Sequence, residues 1–287
     1  MNTDLTLSEL QHATVQTLSA IYPQSEAQWL WREMMLRIKG WDRVQLAIRA
    51  NDTVSDFVKQ KVADTTARLL THEPIQYIFG MTEFYGLQLH VSPDVLIPRP
   101  ETAELVDIIV RQANNQPDLR VLDLCTGSGC IAVALARNLL FPHIDAVDLS
   151  AKALEIAEAN ARELRVKINF SRRDALHLHP APSPCYDIIV SNPPYITEHE
   201  KSSMDPNVLD YEPHMALFVP DNNPLLFYRA IASYALSALV PSGRLYFEIN
   251  PDYASQISDE LKQQGWEDIN VIPDMQRLNR FIYCTRP

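Results

Sequence analysis

Apolar residues recur every three to four positions at Ala27, Leu30, Trp31, Met34, Met35 and Ile38, a spacing that lines one face of a helix. Ser25 is the expected N-cap and Gly40 the expected stop. The period returns at Val54, Val58, Val62, Thr66 and Leu69 ahead of Pro74, so residues 1–74 are expected to form a small helical domain. Trp29, Trp31 and Trp41 are read as its core and not as a ligand cage. Between Ile75 and Val95 the period shortens to β alternation, with Gly80 and Gly86 as turn residues, which predicts a hairpin linker over residues 75–96. From Leu119 strands and helices alternate: Arg120 to Leu124, a helix from Cys130, His143 to Asp148, a helix Ala151 to Leu164, Lys167 to Ser171, then Tyr186 to Val190. Helices around Phe227 to Leu239 and Ala254 to Gln264 follow, with strands Arg244 to Glu248, Ile269 to Ile272 and Phe281 to Cys284. This order predicts an α/β domain over residues 97–287 built on a parallel, doubly wound sheet.

At 287 residues and 46% hydrophobic content the chain can build two cores and is expected to be soluble. Its formal net charge of -11 disfavours general binding to phosphate backbones, so no stable nucleic-acid partner is expected. Cys125, Cys130, Cys185 and Cys284 include no Cys-x-x-Cys pair and no nearby histidine cluster, which argues against disulfides and against a metal site. The segment from Asn2 to Glu9 lacks a basic and then apolar leader pattern, and the apolar stretch Leu225 to Val240 is interrupted by Arg229 and serines. A cytoplasmic protein with no membrane span is expected.

Candidate chemistry concentrates where the strands end. The apolar run Ile188-Ile189-Val190 leads directly into Ser191-Asn192-Pro193-Pro194-Tyr195, at the carboxyl end of a core strand, where open α/β sheets bind ligands. Proline fixes its own φ and restricts the residue before it, so the Asn192 and Pro193 carbonyls are held in set directions. Asn192 adds a side-chain amide, Pro193 a carbonyl without an N–H, and Tyr195 a flat face with a polar tip, a combination that suits a planar group bearing NH2. The plain alternative is a proline-rich loop.

A second turn, Asp123-Leu124-Cys125-Thr126-Gly127-Ser128-Gly129, carries two of the seven glycines between a strand and a helix, so backbone can approach a cofactor closely. It is shorter than the dinucleotide fingerprint and lacks the lysine of a phosphate-cradling loop, which favours a smaller adenosyl ligand. Asp148 ends the next strand about twenty residues on, where a carboxylate can accept both ribose hydroxyls. Asp174, after the third strand, is the candidate for the adenine amine, with a surface loop aspartate as its alternative, while a plain tight turn and a helix-capping Asp148 are the alternatives to the first two features.

These residues together resemble the Class I S-adenosylmethionine-dependent methyltransferases that act on planar nitrogens. The run Ile97-Pro98-Arg99-Pro100-Glu101-Thr102, with Glu83-Phe84-Tyr85-Gly86 and Tyr211-Glu212-Pro213, narrows the resemblance to the peptide chain release factor glutamine methyltransferases over nearly the whole chain. Adenine methyltransferases of nucleic acids share the Asn-Pro-Pro-Tyr turn alone, and the relatives that methylate a ribosomal-protein glutamine differ at Pro100-Glu101-Thr102. Asn250-Pro251 stands where the family commonly has glycine, and Asp274 to Arg280 lacks another usual glycine.

The resemblance implies a Rossmann-like methyltransferase domain behind a helical substrate-docking domain. It implies S-adenosyl-L-methionine as donor, held by Cys125, Thr126, Gly127, Ser128, Gly129, Asp148, Asp174, Ala175 and Asn192, with S-adenosyl-L-homocysteine as product. The acceptor would be the glutamine side-chain nitrogen in the Gly-Gly-Gln motif of class 1 release factors. Asn192 and Pro193 would aim that nitrogen, Pro194, Tyr195 and Phe84 would pack on the amide, and Arg99 and Glu101 would act as supporting or partner contacts, with a structural ion pair as the alternative.

Overall fold

The computed structural model describes residues 5–287; the start of the helical segment, Met1 to Asp4, lies outside the described residues. In chain order the elements are α1 (Leu7–Leu18), α2 (Gln24–Lys39), α3 (Arg43–Ile48), α4 (Asp56–Leu69), α5 (Ile75–Phe79), β1 (Met81–Phe84), β2 (Leu87–His90), α6 (Pro100–Ala113), β3 (Arg120–Leu124), α7 (Cys130–Asn138) and β4 (His143–Asp148). They continue with α8 (Ala151–Glu163), β5 (Ile168–Arg172), β6 (Tyr186–Ser191), β7 (Ile196–Thr197), α9 (Pro206–Tyr211), β8 (Phe218–Val219), α10 (Leu226–Ala238), β9 (Leu239–Glu248), α11 (Ala254–Gln263), β10 (Glu267–Pro273) and β11 (Asn279–Thr285).

The described chain divides into two compact units: the residues up to Gly80 with Pro206–Tyr211, and Met81–Asp205 with Glu212–Pro287. In the helical unit the apolar faces of α1, α2 and α4 bury Leu7, Leu18, Trp31, Met34, Val62 and Leu69 against one another. Thr6 and Glu9 cap α1 reciprocally, and Gly40 ends α2 in the left-handed region at φ 68°. Three expectations change here. Pro23, not Ser25, precedes α2, because a proline with fixed φ starts a helix without a side-chain cap. Trp29 faces away from the core and is 42% exposed, whereas Trp31 is fully buried. Ile75–Phe79 is a short helix after Pro74, so the hairpin begins only at Met81, once Gly80 has ended the helix.

The second unit carries a seven-stranded sheet in the order β10-β11-β9-β6-β3-β4-β5. β9, β6, β3, β4 and β5 run parallel, as expected, while β11 is antiparallel to both of its neighbours. The closing strands therefore form an antiparallel edge, which a short turn without a crossover helix can make. One face of the sheet packs on α10 and α11 through residues such as Tyr228, Ile231 and Ile257, the other on α6 and α7 through Leu105, Ile109 and Val133.

The parallel register brings strand ends level. Leu124 of β3 lies between Val147 of β4 and Ser191 of β6, and Ser191 lies beside Phe247 of β9. The Ser191 hydroxyl donates to the Leu124 carbonyl at 2.6 Å and locks the two central ends together. Asn160, buried on α8, ties in the hairpin: its Nδ2 donates to the carbonyls of His90 (3.1 Å) and Ser128 (2.9 Å), and its Oδ1 accepts from the His90 N–H (2.7 Å). Asn160→Ala strands these groups, so unfolding free energy is expected to fall by about 3 kcal/mol. Urea unfolding checks this, and a loss within about 0.5 kcal/mol, typical of surface substitutions, would contradict it.

Candidate active site

At the end of β3 the chain turns sharply through Cys125, Gly127 and Gly129, all in the left-handed region with φ of 62°, 55° and 78°. Glycine is favoured at 129 because its φ of 78° would strain a side chain, and a Cβ there would also crowd the Ala157 Cβ of α8 at 3.0 Å. The turn is held from below by Asp123, whose Oδ2 accepts from the Thr126 hydroxyl (2.6 Å) and the Ala132 N–H (3.2 Å). Asp123 Oδ1 and the buried Ser128 hydroxyl find no partner among the described residues. Burial pushes the Asp123 carboxyl up to about 7 against the lowering effect of those hydrogen bonds, with the Asp148 charge adding to the rise.

Asp148 closes β4. Its Oδ2 accepts from the Gly127 N–H (2.8 Å) and its Oδ1 from the Ser150 N–H (2.9 Å), so it already braces the glycine turn. Burial raises its proton affinity and these N–H groups lower it. Asp174 accepts from the Leu176 N–H at 2.9 Å and pairs with His177 Nδ1 at 2.8 Å; the hydrogen bond from His177 is the main cause of its lowered pKa.

At the end of β6, Asn192 Nδ2 donates to Thr102 Oγ1 at 3.3 Å. The Thr102 hydroxyl donates to Glu248 Oε2 at 2.6 Å, and the Tyr195 hydroxyl to Glu248 Oε1 at 3.0 Å. Glu248 is buried at the end of β9; burial raises its pKa, while Thr102, Tyr195 and the nearby Arg280 charge lower it and Glu101 raises it. Burial likewise raises the Tyr195 phenol, so it remains a proton donor. Above this network Glu212, itself buried, accepts from the Ile97 N–H at 3.3 Å and pairs with Arg99. Arg99 is thus engaged in an ion pair within the domain.

These strand ends surround a cleft of about 1060 Å³, counting its open mouth. Of the expected site residues, Cys125, Thr126, Gly127, Ser128, Asp148, Asp174, Ala175, Asn192 and Pro194 line it. Gly129 and Pro193 are not among the lining residues, and the Tyr195 ring packs on the core with its hydroxyl on Glu248. Phe84 does not reach the cleft: it is 3% exposed in the core formed with Leu89, Leu105 and Val106, because the hairpin turns that side chain inward. The expectation that Phe84 packs on a substrate amide is therefore corrected. Thr102, Glu248 and Met215 join the site beyond the residues expected from the sequence. A glutamate closing the apolar run Leu245-Tyr246-Phe247 was the available signal for Glu248. Among the described residues no three histidine, cysteine, aspartate or glutamate side chains gather as a metal site, and no helix is long and apolar enough to cross a membrane.

The chain is 43% identical over 271 residues to a release factor glutamine methyltransferase of Bacteroides thetaiotaomicron, covering 94% of this chain and 97% of that one. It belongs to the release factor glutamine methyltransferase family. A second member of that family, from Streptococcus pneumoniae, is 46% identical over 225 residues, 78% of this chain and 79% of its own. The family model described as PrmC N-terminal domain matches residues 9–80, and the one described as Methyltransferase small domain matches residues 104–209. A crystal structure of a methyltransferase from Pyrococcus furiosus shares the fold, with a TM-score of 0.52 at 14% identity over 78% of this chain and 98% of that one. The sheet of this family member is accordingly the Class I methyltransferase sheet.

Asp123 gives this family member a pH signature. Its folded-state pKa of about 7 exceeds the unfolded value of 3.8, so its contribution to stability is complete below 3.8 and is lost as pH rises towards 7. At about 1.4 kcal/mol per pKa unit the loss is about 4 kcal/mol. Asp123→Asn still accepts from Thr126 but cannot ionise, so its unfolding free energy is expected to lack that part of the slope. Urea titrations of both proteins from pH 4 to 8 test this, and parallel curves would overturn it.

Proposed function

We propose that this chain transfers a methyl group from S-adenosyl-L-methionine to the side-chain amide nitrogen, N5, of the glutamine in the Gly-Gly-Gln motif of class 1 peptide chain release factors. S-adenosyl-L-homocysteine is the other product. The observation that carries this reading is the convergence of Asn192 and Pro194, the glycine turn and Asp148 on one cleft.

The cleft fits the donor by its chemistry. The carboxylate of Asp148 keeps lone pairs for ribose hydroxyls beyond its bonds to Gly127 and Ser150, and the buried, unpartnered Ser128 hydroxyl offers a polar contact in the wall. Asp174 and Ala175 would flank the adenine. Bound there, S-adenosylmethionine supplies an electrophilic sulfonium methyl.

An amide nitrogen is a weak nucleophile because its lone pair is delocalised, so the protein's task is placement: the nitrogen must lie in line with the methyl at roughly 3–3.5 Å. Asn192 Oδ1 and the Pro193 carbonyl would each accept one amide hydrogen, which aims the nitrogen and stabilises the positive charge that grows on it. Pro193 has no N–H to compete, and its fixed φ limits movement of that acceptor. The extra proton leaves to water after transfer, so no general base is needed before attack. Tyr195 would help exclude water from one side. The helical unit would dock the folded factor in the cytoplasm, with no stable nucleic-acid complex.

Mass spectrometry of a release factor and of DNA, each incubated with the protein and labelled donor, tests the substrate. Methylated glutamine in the factor is expected, and label in DNA alone would overturn the proposal. Asn192→Ala is expected to keep the fold and to change donor binding only modestly while methyl transfer falls on the order of 10²–10³-fold, as on loss of a preorganised transition-state contact. A wild-type rate in that variant would overturn the assigned role. Asp148→Ala is expected to weaken donor binding by about 1.5–3 kcal/mol, with a smaller effect on the chemical step. Calorimetry showing unchanged affinity would reject that role for Asp148.

A further inference from the structure

We propose that Glu248, acting through Thr102, is a positioning residue that decides which end of the Asn192 amide faces the acceptor. This rests on the proposed role of Asn192. Thr102 has one hydroxyl proton, and the buried Glu248 Oε2 takes it at 2.6 Å. Only lone pairs then remain on Thr102 Oγ1, so the Asn192 atom 3.3 Å away has to be a donor. That places the NH2 of Asn192 against Thr102 and leaves Oδ1 on its other side as an acceptor. The opposite orientation would set two acceptors against each other, or would pull the Thr102 proton away from a buried carboxylate.

Glu248 is suited to this because a carboxylate only accepts. Its second oxygen is occupied by the Tyr195 hydroxyl at 3.0 Å, so both arms of the Asn-Pro-Pro-Tyr turn hang from one acceptor. Tyr195 is further fixed by its carbonyl, which accepts from Asn250 Nδ2 at 3.3 Å two residues beyond Glu248. A glutamine at 248 would offer one acceptor and one donor. With its NH2 towards Thr102, the threonine proton is freed to donate to Asn192, and the amide that turns to accept it presents NH2 where the substrate also presents NH2.

The test compares Thr102→Val, Thr102→Ser and Glu248→Gln, each alone and in the Asn192→Ala background. Valine matches threonine in shape but has no hydroxyl, so the orientation is lost while Glu248 also loses a donor, and kcat is compared once circular dichroism and urea unfolding show each variant folded. Thr102→Val and Glu248→Gln are expected to lower kcat by about 10- to 100-fold, less than full removal of the acceptor contact. Donor affinity should be unchanged, and Thr102→Ser should restore kcat to within about three-fold of wild type. In the Asn192→Ala background the Thr102 and Glu248 changes should have little further effect, because residues acting as a unit are not additive. Wild-type kcat in Thr102→Val and Glu248→Gln, with Asn192→Ala slow, overturns this inference alone. A full additional loss in the Asn192→Ala background also overturns it, since that result marks a merely structural role. A fast Asn192→Ala protein overturns the reading beneath it.

Discussion

A carboxylate buried away from water has to be given donors, and in this protein that requirement ties the sheet's strand ends to one another. Asp123 on β3 takes one hydrogen from the turn that follows it and one from α7, Asp148 on β4 takes one from that same turn, and Glu248 on β9 takes one from α6 and one from the segment after β6. Glu212 does the same for the segment before α6. Asp148 joins β4 to the turn after β3, Glu248 joins α6 to the segment after β6, and Glu212 holds the segment before α6, adding to the strand pairing and the Ser191 bond that already bring these ends level. Burial raises the proton affinity of all four, which measures how much donor satisfaction the fold must supply.

The prolines work in the same direction. Pro98, Pro194 and Pro213 line the cleft, and none can donate a backbone hydrogen bond. Among the apolar side chains that make up most of the wall, the carboxylates of Asp148 and Asp174 supply acceptors, and the prolines stiffen the places where a flexible loop would have to be ordered on binding. For a reaction in which an unreactive nitrogen has to be aimed, that stiffness is what the chain can contribute, because alignment already present in the free protein is not lost again on binding.

The sheet was legible because strand and helix periods differ and the strand ends carry turn residues: β3, β4 and β6 lie within a residue of the expected positions. The glycine turn, Asp148 and Asn192 were legible for a related reason, since each is a local chain signal at a strand end. The antiparallel edge was not legible, because short buried strands look alike whichever way they run. Ile75–Phe79 carries β-favouring residues yet forms a helix after Pro74, with Ile75 and Tyr77 buried. Phe84 shares a segment with the family resemblance, but only the register of the hairpin decides that it points into the core. Thr102 and Glu248 lie 146 residues apart, and no local pattern marks a hydrogen bond that the fold alone brings about.

The choice between a protein and a nucleic acid as partner turns on what surrounds the reacting centre, because an acceptor pair that aims an amide would aim the exocyclic amine of a base equally well. Binding a phosphate backbone relies on cations that release counterions, and a chain of net charge -11 has few to spare. Several of its arginines are already committed: Arg99 to Glu212, Arg280 to Asp274 and Arg229 to Glu260. The helical unit instead exposes apolar side chains at Val44, Ile48 and Phe57. Apolar exposure contributes to binding by leaving water, which a protein surface can reciprocate and a phosphate backbone cannot. Both features favour the protein partner proposed above over a phosphate backbone.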